Sequence, residues 1–451
     1  MSFPRYPKYK ASGVEWLGEV PAHWDIVRLA RLSTSRCDGP FGSGLKSEHY
    51  TEEGVRVVRL QNIKVGGFDG SDAAFVSAEY VARELSGHDV LHGDLLVAGL
   101  GDDNNRVGRA CVAPASIGPT IVKADCFRFR IDDRRCRAQF AAYSLNASVV
   151  ADSGRLATGS TRSRIPLSAM GSRCLALPPL EEQDRVVAFL ELESTKIDAL
   201  VAEQQRLIEL LKEKRQAVIS HAVTKGLDPN AKLKPSGIEW LGDVPAHWRV
   251  VSIKWLSPVR RGASPRPIDD AIYFDDVGEY AWVRIADVSA SVSGRLHETP
   301  QRLSELGSSL SVRLEPGSLF VSIAGTVGKP CITETKACIH DGFVWFPALE
   351  LDPRFLFRIF EAEVCYGGLG KLGTQLNLNT DTIGSIRIAA PPANEIREVC
   401  DFIDAQMDRL GGFVDEAERT IALLQERRTA LISAAVTGQI DVRSIGSKGR
   451  H

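Results

Sequence analysis

The chain has 451 residues, of which 44% are hydrophobic and 25% charged, and its 55 Lys and Arg against 57 Asp and Glu give a formal net charge of −2. This composition indicates an ordinary soluble globular protein of two or three domains. The net charge argues against a protein that binds nucleic acid without partners that carry part of the basic surface. The sequence has no run of 18 apolar residues, which argues against a membrane helix, and residues 1–10 have no apolar core, which argues against a signal peptide. We therefore predict a cytoplasmic location without membrane partners. Nine cysteines without a CxxC pair predict buried free thiols rather than disulfides or a zinc site.

A short segment near the N-terminus, called Trp box 1, recurs in the second half of the chain as Trp box 2. Residues 12–24 read SGVEWLGEVPAHW and residues 236–248 read SGIEWLGDVPAHW. The boxes are too short to be domains, and their tryptophans are predicted to anchor each globular region on the neighbouring helices. His23 and His247 have no second ligand nearby, so packing is favoured over metal binding or catalysis. The four tryptophans are Trp16, Trp24, Trp240 and Trp248.

Two unequal regions, residues 27–176 and 251–389, are predicted to be mixed α/β globules with β cores, here globule 1 and globule 2. Short β-branched runs bounded by Gly, Pro or Asp predict strands joined by loops, with a helix in each region, at 137–150 and 353–364. A weak common order relates the two. Residues 58–63, 93–97 and 107–112 of globule 1 parallel residues 283–288, 317–321 and 327–332 of globule 2.

A long segment after each globule is also duplicated. Residues 178–228 align without a gap on residues 391–441, with 20 of 51 positions identical. Two prolines followed by acidic and amide residues predict a helix start, and about 42 helical residues would form a rod about 60 Å long that needs a partner rod. An apolar stripe with nearly heptad spacing predicts the seam between the two copies. Its members are Ile197, Leu200, Gln204, Leu207, Leu211 and Val218 in the first copy and Leu410, Phe413, Leu424 and Leu431 in the second.

The predicted fold class is therefore α+β, with two globules joined by two long helices in a repeated frame. The predicted segments are a first box (1–26), globule 1 (27–176), a central helix (177–226), a second box (227–250), globule 2 (251–389), a C-terminal helix (390–440) and a tail (441–451).

Enzyme signatures are incomplete in this sequence. Residues 368–373 satisfy GxGxxG, but no strand precedes them and no helix follows, as a dinucleotide site would require. The Leu-Pro-Pro-Leu run at 177–180 and the Ala-Pro-Pro-Ala run at 390–393 lack the polar and aromatic residues of the adenine-methyltransferase signature. We therefore predict no catalytic residue, no metal ligand and no cofactor within this chain.

Polar loops of both globules carry chemistry that suits DNA, although ordinary solvated loops remain the alternative for each residue. Residues 105–173 hold 12 Lys and Arg against 4 Asp and Glu. Cations suit phosphates, and Arg, Asn and Gln can read base edges. The candidates in globule 1 are Phe41, Ser43, Lys46, Arg59, Asn104, Asn105, Arg106, Arg109, Ser160, Thr161, Arg162 and Arg164. Those in globule 2 are Arg260, Arg261, Ser264, Arg266, Arg284, Thr326, Lys329, Thr374, Gln375, Asn377 and Asn379.

The order and duplication of these motifs resemble the specificity subunit of type I restriction-modification systems. The resemblance rests on the Glu-Trp-Leu-Gly-x-Val-Pro-x-His-Trp boxes, the Asp-Gly-Pro-Phe-Gly-Ser run at 38–43, the Gly-Thr-Gln loop at 373–375 and the repeated Pro-Pro helices. It implies two target-recognition domains, an antiparallel coiled coil that acts as a ruler, and a split, asymmetric DNA site. It also implies two methyltransferase subunits and ATP-dependent restriction subunits as partners, with S-adenosylmethionine, ATP and Mg bound by those subunits. The chain departs from the pattern at 160–162, where Ser-Thr-Arg replaces Gly-Thr-Gln.

A protein of another class stays open on the residues alone. A structural adaptor, with two ligand-binding globules on a coiled-coil stalk, would share the repeat but would not bind DNA with an affinity that falls steeply with salt.

Overall fold

The computed structural model describes residues 3–41, 44–102, 104–151, 163–291, 293–367, 369, 371–372, 375–376 and 378–444. Contacts divide the chain into two compact units. Unit 1 contains residues 1–204 and 419–451, and unit 2 contains residues 205–418. Each long helix is therefore divided near its middle, whereas the segments predicted from the sequence keep each helix whole.

Unit 1 contains Trp box 1 and globule 1. Its helices are α1 (Ala78–Glu84), α2 (Ala138–Ala151), α3 (Leu167–Gly171) and the first part of α4 (Leu180–Lys225). Its strands are β1 (Tyr9–Ala11), β2 (Glu19–Pro21), β3 (Asp25–Arg28), β4 (Ser33–Cys37), β5 (Tyr50–Thr51), β6 (Val55–Val58), β7 (Ile63–Lys64), β8 (Gly67–Phe68), β9 (Phe75–Val76), β10 (Leu95–Ala98), β11 (Leu100–Gly101), β12 (Ala110–Val112), β13 (Thr120–Val122), β14 (Cys126–Ile131), β15 (Ser163–Arg164) and β16 (Cys174–Leu177).

Unit 2 contains Trp box 2 and globule 2. Its strands are β17 (Leu233–Pro235), β18 (Asp243–Pro245), β19 (Arg249–Ser252), β20 (Arg260–Arg261), β21 (Tyr280–Val283), β22 (Arg295–Leu296), β23 (Arg302–Leu303), β24 (Val312–Leu314), β25 (Leu319–Ser322), β26 (Pro330–Thr333), β27 (Ala337–Ile339), β28 (Phe343–Trp345), β29 (Lys371–Leu372), β30 (Gln375–Leu376) and β31 (Arg387–Ala390). Its helices are α5 (Ile285–Ala290), α6 (Glu305–Ser309), α7 (Pro353–Glu361), α8 (Thr380–Ser385) and most of α9 (Ala393–Val436), whose last part lies in unit 1.

Each globule is built on the same pair of sheets. The order β4-β14-β10-β12 in globule 1 matches β20-β28-β25-β26 in globule 2, and the parallel pair β6/β13 matches β21/β27. The central strand β10 is an unbroken apolar run, Leu95 to Ala98, and all four residues are buried because both faces are covered. The predicted mixed globules with β cores, and their weak common order, are confirmed.

The two long helices have 46 and 44 residues, and the second one continues through Gly411 and Gly412. In unit 1, Ile197 of α4 and Leu431 of α9 belong to one core, and the Arg428 guanidinium lies 2.7 Å from Asp198 Oδ1. In unit 2, Leu211 of α4 and Leu410 of α9 share the other core. The first part of each helix thus packs with the last part of the other, which is the pairing of an antiparallel coiled coil.

The heptad stripe needs a correction at three of its positions. Leu200, Leu207 and Phe413 are exposed by 44%, 42% and 49%, while the other seam candidates Gln204, Val218 and Leu424 are half-buried. These three side chains are exposed because the buried face of the helix does not repeat every seven residues. A straight helix drifts by about 20° per heptad, so a long buried face follows a spacing of 11 residues instead. The buried positions Val186, Ile197, Ile208 and Ile219 have that spacing.

In unit 1, Trp24 anchors the box on the first turn of α4. It is fully buried, and its indole N–H donates to Glu182 Oε1 at 3.0 Å. His23 Nε2 lies 2.9 Å from the other carboxylate oxygen, and the Tyr6 hydroxyl donates to Glu182 as well. The Trp24 ring also meets Phe140 of α2 edge to face, 6.5 Å between centroids.

Unit 2 repeats this arrangement on the first turn of α9. The fully buried Trp248 donates to Glu395 Oε1 at 2.9 Å, and His247 Nε2 lies 2.7 Å from Glu395 Oε2. Trp248 meets Phe355 of α7 edge to face at 6.4 Å. The anchor prediction is confirmed for Trp24 and Trp248. Each neighbouring histidine contacts the same glutamate as its tryptophan, and we call this group of Trp, His and Glu the clamp of its unit.

Neither a disulfide nor a membrane-spanning helix occurs among the described residues. Seven of the nine cysteines are buried, Cys37 and Cys174 are half-buried, and none forms a disulfide. Within the described ranges, no helix is long and apolar enough to cross a membrane.

Candidate nucleic-acid interface

Some of the predicted DNA contacts lie outside the described residues. They are Ser43, Ser160, Thr161, Arg162, Thr374 and Asn377; for Gln375 the backbone strand alone is described.

Arg109 is an internal structural residue, and its predicted DNA contact is wrong. Its side chain is 5% exposed, and its guanidinium donates to the carbonyl of Ile63 at 2.8 Å and that of Leu60 at 2.7 Å. Three more carbonyls, within residues 100–106, accept from Nη1. Burial lowers the pKa of Arg109. The side chain therefore closes the turn that follows β6, because backbone carbonyls aimed inward there need donors.

Lys329, at the matching position of globule 2, has a weaker form of the same role. Its Nζ donates to the carbonyl of Ser289 at 3.0 Å and to that of Ser291 at 3.4 Å, at the C-terminal end of α5. The side chain is half-buried. Two of the three N–H donors of Lys329, a candidate DNA contact, are thus used within the globule.

A second group of candidates lies in globule 1, where Asn105 and Arg109 line one cavity of about 270 Å³. Asp102 caps the turn that contains Asn105, because its Oδ1 accepts the backbone N–H of Asn105 at 2.7 Å. Burial is not the cause of the lowered pKa of Asp102; hydrogen bonds from Asn105 lower it. Near it, the Arg59 guanidinium donates to Asp72, while Asn104 and Arg106 are exposed. Lys46, on the first loop of the globule, lies 3.7 Å from Glu48.

The third group joins Phe41 and Arg164, which come from opposite ends of globule 1. The Arg164 Nε donates to Asp125 Oδ1 at 2.7 Å, and its guanidinium carbon lies 5.3 Å from the centroid of the Phe41 ring. Both residues are about half exposed. An exposed guanidinium fixed between a carboxylate and an aromatic face has a defined orientation toward solvent.

In globule 2, three candidates gather on Asp341. Arg266 Nη2 lies 2.8 Å from Asp341 Oδ2, Ser264 Oγ lies 3.2 Å from Oδ1, and Arg261 Nε donates to the Asp341 carbonyl. Arg266 keeps 69% of its side chain exposed. This cluster holds one arginine by a carboxylate on the surface of the globule.

The remaining candidates of globule 2 differ in how free they are. Arg260 and Arg284 are exposed, and Thr326 shares a hydrogen bond of 2.9 Å with Ser289. Asn379 is committed to the backbone, because its Oδ1 accepts the N–H of residues 381 and 382 at the start of α8. Asn379, a candidate DNA contact, is therefore a helix cap whose Oδ1 is used within the globule.

Sequence reasoning missed Asp125 and Asp341, the carboxylates that hold the exposed arginines. Cations and amides are the side chains that contact phosphates and base edges, so a carboxylate does not indicate a DNA contact in the sequence. A usable signal was present, since each aspartate lies within three residues of the end of a strand in the repeated order, β13 or β27. Among the described residues there is no group of three His, Cys, Asp or Glu that could hold a metal ion.

Known proteins of type I restriction systems are similar to this chain in sequence and in fold. No protein-family model matches the chain. The EcoKI type I restriction enzyme specificity subunit of Escherichia coli K12 is 22% identical over 259 residues, which cover 56% of this chain and 53% of that protein. The EcoBI specificity subunit of Escherichia coli is 23% identical over 215 residues, 48% of this chain and 42% of that protein. The chain thus spans about half the length of the curated relatives it matches.

Two solved structures share the fold over nearly the whole chain. One, from work on complex assembly and conformational transition of the type I R-M system, has a TM-score of 0.69 and 17% identity, with 93% of this chain and 99% of that chain covered. The HsdS subunit from Thermoanaerobacter tengcongensis has a TM-score of 0.54 and 16% identity, with 93% and 98% covered. The resemblance carried by the repeated boxes and helices is confirmed, and the chain has the fold of a type I restriction-modification specificity subunit.

Proposed function

We propose that the chain is the DNA-reading subunit of a type I restriction-modification complex and that each globule reads one half of a split, asymmetric DNA site. The observation that carries this proposal is the repeat itself, in which one strand order occurs twice with different charged loops. Two readers built on one frame suit two half-sites, and because the loops differ, the half-sites should differ. The subunit catalyses nothing and directs adenine methylation and restriction by its partners.

The proposed partners are two methyltransferase subunits and the restriction subunits, which would bind S-adenosylmethionine, ATP and Mg. Exposed apolar side chains at equivalent positions of the long helices support two equivalent docking surfaces. Leu200 and its repeat mate Phe413 are exposed by 44% and 49%, and Leu210 and its mate Leu423 by 48% and 59%. Large exposed apolar residues on a helix surface are typical of protein interfaces.

The first experiment co-expresses the chain with the methyltransferase subunits encoded beside its gene and maps methyladenine by single-molecule sequencing. We expect a bipartite motif that is absent when the chain is omitted. A motif that persists without the chain, or no motif together with DNA binding that is insensitive to salt, would favour the structural adaptor instead.

A second experiment tests whether the helices set the gap between the half-sites. Four residues are inserted after Ala199 and four opposite, beside Arg427, because Asp198 pairs with Arg428 and both helices then keep their register. Four residues add about 6 Å of helix, so the spacer should lengthen by at most about two base pairs while both half-sites stay unchanged. The matched control inserts the same residues in the exposed turn at 228–230. Altered half-sites with an unchanged spacer would exclude the ruler.

A further inference from the structure

The surface arginine of globule 1 is held by a chain of fixed groups. Strand β15 pairs with β11 and places Arg164 opposite Leu100. Its partner Asp125 has a positive φ of 63°, and the Asp125 N–H donates to Asp38 Oδ1 at 2.8 Å. Asp38 also accepts the N–H of Gly39 at 2.7 Å. The Asp125 carboxylate therefore has little freedom, and neither has the guanidinium that it orients.

Globule 2 presents an arginine from the same place in the frame. Asp341 follows β27 as Asp125 follows β13, and these strands pair in parallel with β21 and β6. The loop that packs on this turn is also equivalent. A Cβ on Gly39 would lie 2.1 Å from the carbonyl carbon of Lys123, and one on Gly262 would lie 2.2 Å from the carbonyl oxygen of His340. The two aspartates thus lie on equivalent turns of their globules. Arg164, however, comes from the C-terminal end of its globule and Arg266 from the N-terminal end.

The local charge favours a neutral ligand over a phosphate. Each arginine has a carboxylate in direct contact, which cancels much of its attraction for an anion and repels a phosphate oxygen. Asp38 lies behind Asp125 and adds to this effect in globule 1. Arg164 contacts Asp125 through Nε alone, and Arg266 contacts Asp341 through Nη2 alone. The N–H groups on the side of each guanidinium that faces away from the carboxylate can therefore donate two parallel hydrogen bonds. Guanine offers two acceptors, O6 and N7, at the matching spacing in the major groove.

We propose that Arg164 and Arg266 are specificity-determining residues, each reading a guanine in the half-site of its own globule. The proposal rests on the proposed DNA-reading function and adds the base and the residue. The carboxylates and, in globule 1, the Phe41 ring hold the guanidinium in position before DNA binds, so little side-chain entropy is lost when the base is read. Asp125 and Asp341 are positioning residues in this account.

The test uses the full chain, co-purified with its methyltransferase subunits, in a selection from randomised double-stranded DNA followed by sequencing. Arg164→Met and Arg266→Met keep most of the length of the side chain but remove the charge and every hydrogen-bond donor. We expect each variant to lose a roughly ten- to hundredfold preference for guanine at one position of one half-site, with the other half-site unchanged. The matched control is Arg313→Met, because Arg313 is also held by a carboxylate, Glu305 at 2.6 Å, and lies over an aromatic ring, Tyr280 at 5.0 Å.

The possible outcomes separate this inference from the function on which it rests. A wild-type complex that enriches no motif would refute the DNA-reading function itself. A wild-type motif that both variants retain, or one that lacks guanine in a half-site, would overturn the inference alone. Uniformly weaker binding with an unchanged motif and a smaller salt dependence would identify phosphate contacts, which also overturns it. Unchanged thermal melting of the variants and an unchanged motif for Arg313→Met confirm that the loss is local.

Discussion

Globule 1 and globule 2 keep the same internal frame but place their exposed arginines differently. In both, a basic residue after the same strand binds the carbonyls of the turn that follows β6 or β21, Arg109 in one and Lys329 in the other. The exposed arginine, in contrast, comes from the end of globule 1 and from the beginning of globule 2. Internal hydrogen bonds have therefore limited the divergence of the two copies, while the solvent-facing loops were free to change. If each globule reads its own half-site, as proposed, the difference is needed in these loops.

The largest expected effect tests the equivalence of the two clamps. Trp24→Ala and Trp248→Ala each remove a fully buried indole, its hydrogen bond to a glutamate and its edge contact with a phenylalanine. We expect each change to lower the free energy of unfolding by about 3 to 5 kcal/mol, measured by chemical denaturation. Trp255→Ala is the control, since Trp255 is 73% exposed and its loss should cost less than about 0.5 kcal/mol. A large difference between the two buried tryptophans would show that the clamps are not equivalent.

The next effect sharpens the comparison inside the globules. Arg109→Met leaves several buried carbonyls without a donor, so we expect a loss of roughly 3 kcal/mol, because an unsatisfied buried group costs about 1 to 3 kcal/mol. Lys329→Met should cost about 1 kcal/mol or less, since two hydrogen bonds to a half-buried amine are lost. Thermal unfolding of both variants measures this. Equal losses, or weaker DNA binding without any loss of stability in Arg109→Met, would contradict the structural role assigned to Arg109.

A smaller effect distinguishes the two clamp glutamates. Glu182 is 7% exposed and accepts from Tyr6 and Trp24 beside His23, whereas Glu395 is 22% exposed and has only Trp248 and His247 among the described residues. In unit 2 the position of Tyr6 is occupied by Asn230, whose N–H donates to Asp228 instead. We expect Glu182→Gln to cost about 2 kcal/mol and Glu395→Gln about 1 kcal/mol, because a buried charge-assisted hydrogen bond contributes more. Urea titration compares them, and the reverse order would refute the ranking.

Features that depend on local pattern could be predicted from the sequence. The first long helix follows from an uninterrupted helical pattern between a proline pair and Gly226, and the second follows from the gapless repeat of that segment. The common order of the globules follows from short apolar runs with matching boundaries. The anchoring role of Trp24 and Trp248 follows from their duplication. In each case the signal lies within a few residues, or in a repeat of the chain itself.

Features that depend on three-dimensional surroundings could not be predicted. The burial of Arg109 requires carbonyls that only the folded turn brings together, so its sequence could not be told from that of an exposed arginine. Leu200, Leu207 and Phe413 fit a heptad, but the packed faces follow a different period. The pairing of Arg164 with Asp125 joins residues 39 positions apart, and no local pattern marks it.

The smallest expected effect depends on pH and should occur in unit 1 alone. Burial raises the pKa of Asp38 from 3.8 to about 6, although the N–H groups of Gly39 and Asp125 lower it in part. Gly39 matches Gly262, so in globule 2 the equivalent position carries Arg261, whose guanidinium does not titrate near neutrality. Asp38→Asn keeps an oxygen that can accept both N–H groups and removes the buried charge.

The sign of this effect follows from proton binding. Between pH 3.8 and about 6 the folded chain holds a proton on Asp38 that the unfolded chain has released, so the stability of the wild type falls as pH rises through this window. Asp38→Asn has no such titration and should gain on the wild type through the same window, reaching about 1 kcal/mol above pH 6, since partial exposure of the carboxyl screens the cost of its charge. Denaturation of both proteins at pH 4, 5, 6 and 7 measures the difference. A constant difference across these values would mean that Asp38 does not titrate there, and the contrast between an anionic and a cationic residue at this position would then have no consequence for stability.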